Sequence, residues 1–350
     1  MLTRFIDKFI QRVAFVIMLC MVMAACSDSD DDAVGTEDVS VAFTLTVADA
    51  ASTRAENDGW DDYSPAQDGI LNENLVNTDD IIIAIYDDKG NKVDNVEDLR
   101  VTTVSDPSIT GATVYAITGV WRNAKPNVDK AKRVMVIANS NVSAWGDPSA
   151  LTYDLNPGKR KYIPMWGVVK IPATLTLGKQ NKLPDIQMLR AMAKVSVSLR
   201  TDMTTYGYSI ASMTVNNYNT KGYCVPKTFN QVDNTTDVRF ANSLNVLDSH
   251  ADKIALPTTA QLYLPEYDNS GTNPTTITVN LNRNGTLEGT YTLEFRNYDS
   301  DGKPTGSTYP IQRNHYYQYW IYKESGKIIV TLHVRKWNRR IYPEDDGIIM

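Results

Sequence analysis

The sequence predicts an all-β fold of two β-sandwiches, on three observations. Apolar residues recur with a period of two, the alternating stretches are short and separated by Gly, Asn, Asp and Pro, and helical periodicity is scarce. The clearest strand has Val39, Val41, Phe43, Leu45 and Val47 alternating with Ser40, Ala42, Thr44 and Thr46, which predicts one face in a core and one toward water. A strand over 80–86 follows, ended by Asp87-Asp88-Lys89-Gly90, residues suited to a tight turn. Further strands are expected over 113–118, 132–139, 168–177, 193–199, 209–215, 260–264, 275–281, 289–295, 316–322 and 327–334. Residues 71–75 and 126–132 allow a helical turn or two as loop decoration. Gly178, Lys179, Asn181, Lys182 and Pro184 interrupt the strand pattern, and divide the chain into an N-terminal sandwich over 39–183 and a C-terminal one over 184–350.

The N-terminus sets the compartment. Arg4, Lys8 and Arg12 precede an apolar run from Val13 to Met23, and Ala24 and Ala25 lead into Cys26. Charge, a short apolar core and small residues in that order read as a removable secretory signal over 1–25, since a membrane span needs about 20 apolar residues. Small residues directly before a cysteine resemble a lipobox, with Met23 where Leu is commoner, so Cys26 is expected to carry the lipid. Residues 26–38 begin with a Ser-Asp-rich stretch that cannot bury itself and is read as an acidic tether. Such acidic starts resemble an outer-face signal of Bacteroides-like lipoproteins; a plain solvated linker fits the charge equally well.

Composition excludes several function classes. A net charge of −6 over 350 residues offers no basic face for nucleic acid. Cys20 leaves with the signal and Cys26 takes the lipid, so Cys224 alone remains and no disulfide forms within one mature chain. Cys224, between Tyr223 and Val225, reads as a small buried hydrophobe. His250, His315 and His333 stand apart without metal-ligand spacing, and no cofactor motif is present. G-x-S-x-G, H-E-x-x-H and phosphate-cradling loops are absent, and the Asp residues cluster in turns, so the chain is not read as an enzyme. A carboxylate pair assembled only by folding is the one catalytic arrangement the sequence leaves open. The six tryptophans, Trp60, Trp121, Trp145, Trp166, Trp320 and Trp337, admit a sugar-stacking role, but aromatics of sandwiches are mostly core.

Five stretches in order carry a resemblance over nearly the whole mature chain. They are the lipobox Cys26; an alternating strand followed by Thr53-Arg54-Ala55; Ile82 to Asp87; Arg190 to Val195; and Arg313-Asn314-His315-Tyr316-Tyr317 before a last strand ending at Trp337. The chain resembles the fimbrillin (FimA-like) family of Bacteroidales, which builds type V pili from lipoprotein precursors. The resemblance implies two tandem transthyretin-like Greek-key β-sandwich domains, with Ile163 to Gly167, around Trp166, forming a turn. It also implies export to the outer membrane, cleavage by an arginine-specific protease between Arg54 and Ala55, and departure of the strand carrying Val39, Val41, Phe43, Leu45 and Val47. A C-terminal strand of another subunit would then fill the groove, making other fimbrial subunits the partners and the surface fimbria the final location.

Burying those five side chains is worth about 7 to 15 kcal/mol at most, comparable with the whole net stability of a domain, roughly 5 to 15 kcal/mol. Losing the strand therefore exposes a costly groove with unpaired edges unless another strand fills it. The donor is expected in the thirteen residues beyond Trp337, with Ile341, Tyr342, Ile348, Ile349 and Met350 as groove-filling side chains. Pro343 and Glu344-Asp345-Asp346-Gly347 interrupt that segment. A short donor, two separately docking pieces, an accessory subunit, or an exposed terminus all fit. Three functions follow from different classes: a polymerising stalk subunit, a non-polymerising anchor or tip subunit, and a glycan-binding surface lipoprotein.

Overall fold

This computed structural model describes residues 36–47, 69–105, 113–141, 150–155, 159–160, 162–227, 229–235, 250–256, 262–336, 341–342 and 348–349. The chain is almost entirely β. Its first half contains β1 (Val39–Val47), β2 (Gly69–Ile70), β3 (Ile81–Tyr86), β4 (Lys92–Ser105), β5 (Thr113–Trp121) and β6 (Arg133–Ala138). These are followed by β7 (Thr152–Asp154), β8 (Lys159–Arg160), β9 (Met165–Lys170), β10 (Gln180–Lys182) and β11 (Ile186–Arg190). The second half contains β12 (Met192–Leu199), the short helix α1 (Thr201–Thr205), β13 (Tyr208–Asn219), β14 (Lys221–Tyr223), β15 (His250–Leu256) and β16 (Leu262–Pro265). After them come β17 (Thr276–Arg283), β18 (Thr286–Glu294), β19 (Asn297–Tyr298), β20 (Pro304–Thr305), β21 (His315–Glu324) and β22 (Lys327–Lys336). The tail adds β23 (Ile341–Tyr342) and β24 (Ile348–Ile349). The two expected loop decorations are 3-10 turns at Leu71–Asn74 and Val128–Lys130.

The first half forms an eight-stranded sheet in the order β10-β1-β11-β9-β6-β3-β4-β5, and β1 also pairs with β5. That additional pairing closes the hydrogen-bonded path on itself, so β1 joins the two ends of the sheet. Between β3 and β4 the chain reverses where Asp87 Oδ1 accepts the amides of Lys89 (2.9 Å) and Asn91 (2.8 Å), an Asx-type turn made by the Asp-rich stretch. β4 is missing from the sequence reading because its charged and polar residues mask its two-residue period. A bulge between Glu97 and Arg100, with Asp98 at φ 51°, shifts that period by one. The strand expected over 168–177 instead begins at Met165 and ends at Lys170, so Trp166 lies in β9, fully buried, and not in a turn.

The second half forms two four-stranded sheets, β16-β12-β21-β22 and β15-β13-β17-β18. Val195, Leu264 and Ile321 of one and Val215, Ile277 and Val279 of the other are buried in the same apolar core. Phe295 meets Tyr317 and Tyr319 edge-on, with centroids 5.4 and 5.7 Å apart. The hairpin β17–β18 turns through Asn284 (φ 49°) and Gly285 (φ 82°), the left-handed pair that matches the twist of flanking strands. Pairing passes from the first sheet to the second at Ala191, whose amide donates to the Pro164 carbonyl (2.8 Å). Ile186–Arg190, in the segment read as belonging to the C-terminal sandwich, is thus bonded into the first sheet.

One close approach fixes how β9 sits against β11. A Cβ on Gly167 would lie 2.7 Å from both Ile186 Cγ2 and Met188 Sδ and 2.8 Å from the Gln187 carbonyl oxygen. Gly167→Val is expected to cost about 1 to 3 kcal/mol by forcing the strands apart, read as a lower urea midpoint. Gly271→Ala, with nothing within 4 Å of the added atom, leaves the midpoint unchanged.

Candidate functional site

β1 is held along both edges. It runs antiparallel to β5 from Val39 opposite Trp121 to Leu45 opposite Tyr115. Its other edge is parallel, first to β10 (Ser40 with Gln180, Ala42 with Lys182) and then to β11 (Leu45 with Ile186, Val47 with Met188). The Gly178 amide donates to the Asp38 carbonyl (2.8 Å), and the Leu183 amide to the Ala42 carbonyl (2.8 Å). The punctuated stretch that reads as a boundary is therefore the lower part of this edge.

All five side chains of the alternating row, Val39, Val41, Phe43, Leu45 and Val47, are buried in the main core. The other face departs from the sequence reading: Ser40, Ala42 and Thr44 are buried too, and only Thr46 is partly exposed. Small and hydroxyl side chains alternate as if toward water, yet they fit a covered face when their polar atoms are bonded. Thr44 Oγ1 donates to Asp185 Oδ1 there.

Ion pairs fasten the start of the strand. Asp38 accepts the Asn123 amide (2.8 Å) through Oδ1 and pairs with Arg122 (2.9 Å) through Oδ2, and Glu37 pairs with Lys125 at 2.9 Å. Hydrogen bonds to Asp98 and then to Asp38 hold the Arg122 guanidinium above its usual pKa. These contacts are exposed on the cationic side and are weak fasteners compared with the apolar row.

A second constellation lies where the chain re-enters the fold. Glu73, in the 3-10 turn after β2, is fully buried and pairs with the equally buried Lys194 of β12 at 2.9 Å. Tyr263 of β16 donates its hydroxyl to the same carboxylate. Burial, and then the Glu73 charge, push the Tyr263 pKa far up, so it stays a donor. Arg190, the last residue of β11, donates to the Glu73 carbonyl (2.9 Å), to Asn314 Oδ1 (2.7 Å) and to Asn74 Oδ1. Nearby, Arg313 pairs with Glu266 (2.7 Å) and donates to the carbonyls of Cys224 (2.9 Å) and Tyr223 (3.0 Å). Cys224 itself is buried and forms no disulfide among the described residues. Lys194 and Arg313 of the two motif stretches thus pair with the buried carboxylates Glu73 and Glu266, and Arg190 and Asn314 bond to each other, contacts that the sequence reading missed. The available signal was Glu73 set in Asn72-Glu73-Asn74 between apolar Leu71 and Leu75.

The remaining sequence-predicted residues are scattered. Cys26, Arg54, Ala55 and Met350 lie outside the described residues, as do Trp60, Trp145 and Trp337. Ile341–Tyr342 pairs in parallel with β2, and Ile348–Ile349 pairs antiparallel with β8, so the tail's backbone lies in two separated pieces on its own chain. Trp121 and Trp166 are fully buried. Among the described residues, no three His, Cys, Asp or Glu side chains gather to hold a metal.

Phe43→Ala is expected to destabilise the intact chain by about 3 to 5 kcal/mol, because the cavity would lie in the closed part of the core. Chemical denaturation followed by intrinsic fluorescence measures this; a change below 1 kcal/mol would mean that β1 contributes little to the fold.

No family model and no curated protein matches the chain. Among solved structures, the tip fimbrial protein Mfa3 of Porphyromonas gingivalis, truncated at its C-terminus, aligns with a TM-score of 0.52 at 15% identity, covering 86% of this chain and 100% of that one. A fimbrial assembly protein of Parabacteroides distasonis aligns with a TM-score of 0.48 at 14% identity, covering 85% of this chain and 99% of that one. The chain is accordingly similar in fold to a Bacteroidales fimbrial protein, in keeping with the fimbrillin resemblance of its sequence.

Proposed function

We propose that this chain is a fimbrial subunit, exported as a lipoprotein precursor and matured by removal of β1. One observation carries the reading: β1 is bonded along both edges and buried on both faces, yet it lies between the expected lipid site at Cys26 and the expected cleavage site at Arg54. Cleavage after Arg54 severs β1 from everything that follows it. The strand and its lipid then leave together, the closed path of strands opens between β5 and β11, and a strand from a neighbouring subunit replaces it by main-chain pairing and alternate side chains. The precursor sits at the outer membrane and the matured subunit in the surface fimbria, within tandem sandwiches of the transthyretin-like Greek-key type.

A second reading, a tip subunit that accepts a strand and donates none, is favoured by the tail. Its backbone is split into β23 and β24, each already paired within the chain, with Pro343 between them. The solved tip protein of similar fold supports the same reading.

Treating purified precursor with an arginine-specific protease separates these readings. A stalk subunit is expected to lose one N-terminal fragment ending at Arg54 and to form ladders that resist SDS. A tip subunit loses the fragment and stays monomeric until a stalk subunit is added. Arg54→Lys blocks both. A precursor cut elsewhere, or unfolded by the cut with no strand accepted from any subunit, would overturn the proposal.

A further inference from the structure

β11 holds two different segments within a few residues of each other. Ile186 to Met188 pair with the end of β1 through main-chain bonds, which any strand of the right register replaces. Two residues past Met188, Arg190 holds Glu73 and Asn74, and Lys194 holds Glu73, through buried side chains. A replacement strand offers no equivalent of that second set of contacts. We propose that the Glu73, Asn74, Arg190, Lys194 and Tyr263 cluster is a retention anchor, which keeps the segment from Gly69 onward on the body of the subunit without help from its covalent link to β1.

This inference rests on the strand-removal reading, and deepens it by assigning the residues that divide the leaving segment from the retained one. Uncompensated buried charge opposes release of the turn. Lys194 and Glu73 are 1% and 0% exposed, so pulling the turn away strands an ammonium in the core and exposes its partner's empty place. Arg190 would lose its contacts to Glu73 and Asn74 in the same movement. The anchor also spans both halves of the chain, since Glu73, Asn74 and Arg190 belong to the first and Lys194 and Tyr263 to the second. Opening it therefore disturbs the junction between the sheets, whereas replacing β1 does not.

The test uses the full chain with a recognition site for a sequence-specific viral protease inserted between Ser52 and Thr53, so that the cut does not depend on Arg54. Hydrogen exchange read by mass spectrometry over 69–86 is compared before and after cutting. In the otherwise unaltered chain, exchange of that segment is expected to stay within about twofold of the uncut protein. The double variant Glu73→Gln with Lys194→Met removes both charges together, and so folds where Glu73→Ala alone would leave a buried ammonium unpaired. Its uncut form is expected to match the parent, and its cut form to exchange about tenfold faster or more over 69–86. Equal opening of the parent segment on cutting, or equal protection of the double variant after it, overturns the anchor. Native mass spectrometry separately reports whether the β1 fragment departs; a fragment that stays bound counts against strand exchange and leaves the exchange result readable.

Discussion

The first half of the molecule depends on β1 being paired along two edges at once. A strand at the end of an open sheet contributes one row of hydrogen bonds and one buried face. β1 contributes two of each, because it joins β5 on one side to β10 and β11 on the other and is covered above and below. Its removal leaves a sheet with two new unpaired rims facing each other across a trough lined by the partners of Val39 to Val47. Such rims bind strands. The tight contacts of Gly167 against β11 keep one wall of that trough in place, and β11 in turn continues into the anchored residue Arg190.

Two kinds of interaction divide the work around that trough. The contacts of β1 are main-chain bonds and interlocking aliphatics, strong in total and indifferent to the identity of the chain that supplies them. The contacts of the turn at Glu73 are specific and buried: its carboxylate takes an ammonium and a phenol, and its backbone carbonyl takes a guanidinium. Breaking one member of such a set leaves another without compensation in a medium of low polarity. The replaceable segment and the fixed segment are therefore distinguished by chemistry, although nearby residues of one strand, β11, touch both.

Much of the fold was legible because its long strands bury one apolar row. β1, β12, β17, β21 and β22 announce themselves through apolar residues at alternate positions, and β3 and β6 through short continuous runs of them. β4 did not, since Lys92, Asp94, Asn95, Glu97 and Asp98 obscure the row and a bulge resets it. β10 and the start of β11 were hidden by the turn residues around them, because a polar strand that supplies backbone bonds to β1 needs no apolar side chains of its own. The covered second face of β1 was unreadable for a related reason: Ser40, Ala42 and Thr44 look the same in a sequence whether water or protein lies over them. Buried charges are harder still. Arg190, Lys194 and Arg313 are indistinguishable by composition from solvated charges, and apart from the apolar residues flanking Glu73 only convergence in space reveals the set.

The mixed pairing of β1 gives the trough a direction. One rim accepts hydrogen bonds in the slanted, evenly spaced pattern of parallel strands, and the other in the alternating narrow and wide pattern of antiparallel strands. A strand laid in backwards would exchange the two patterns, so an occupant that repeats the pairing of β1 takes the same heading. A chain of molecules linked through this site would be vectorial, every member facing the same way, with one free trough at one extremity and one unused segment at the other.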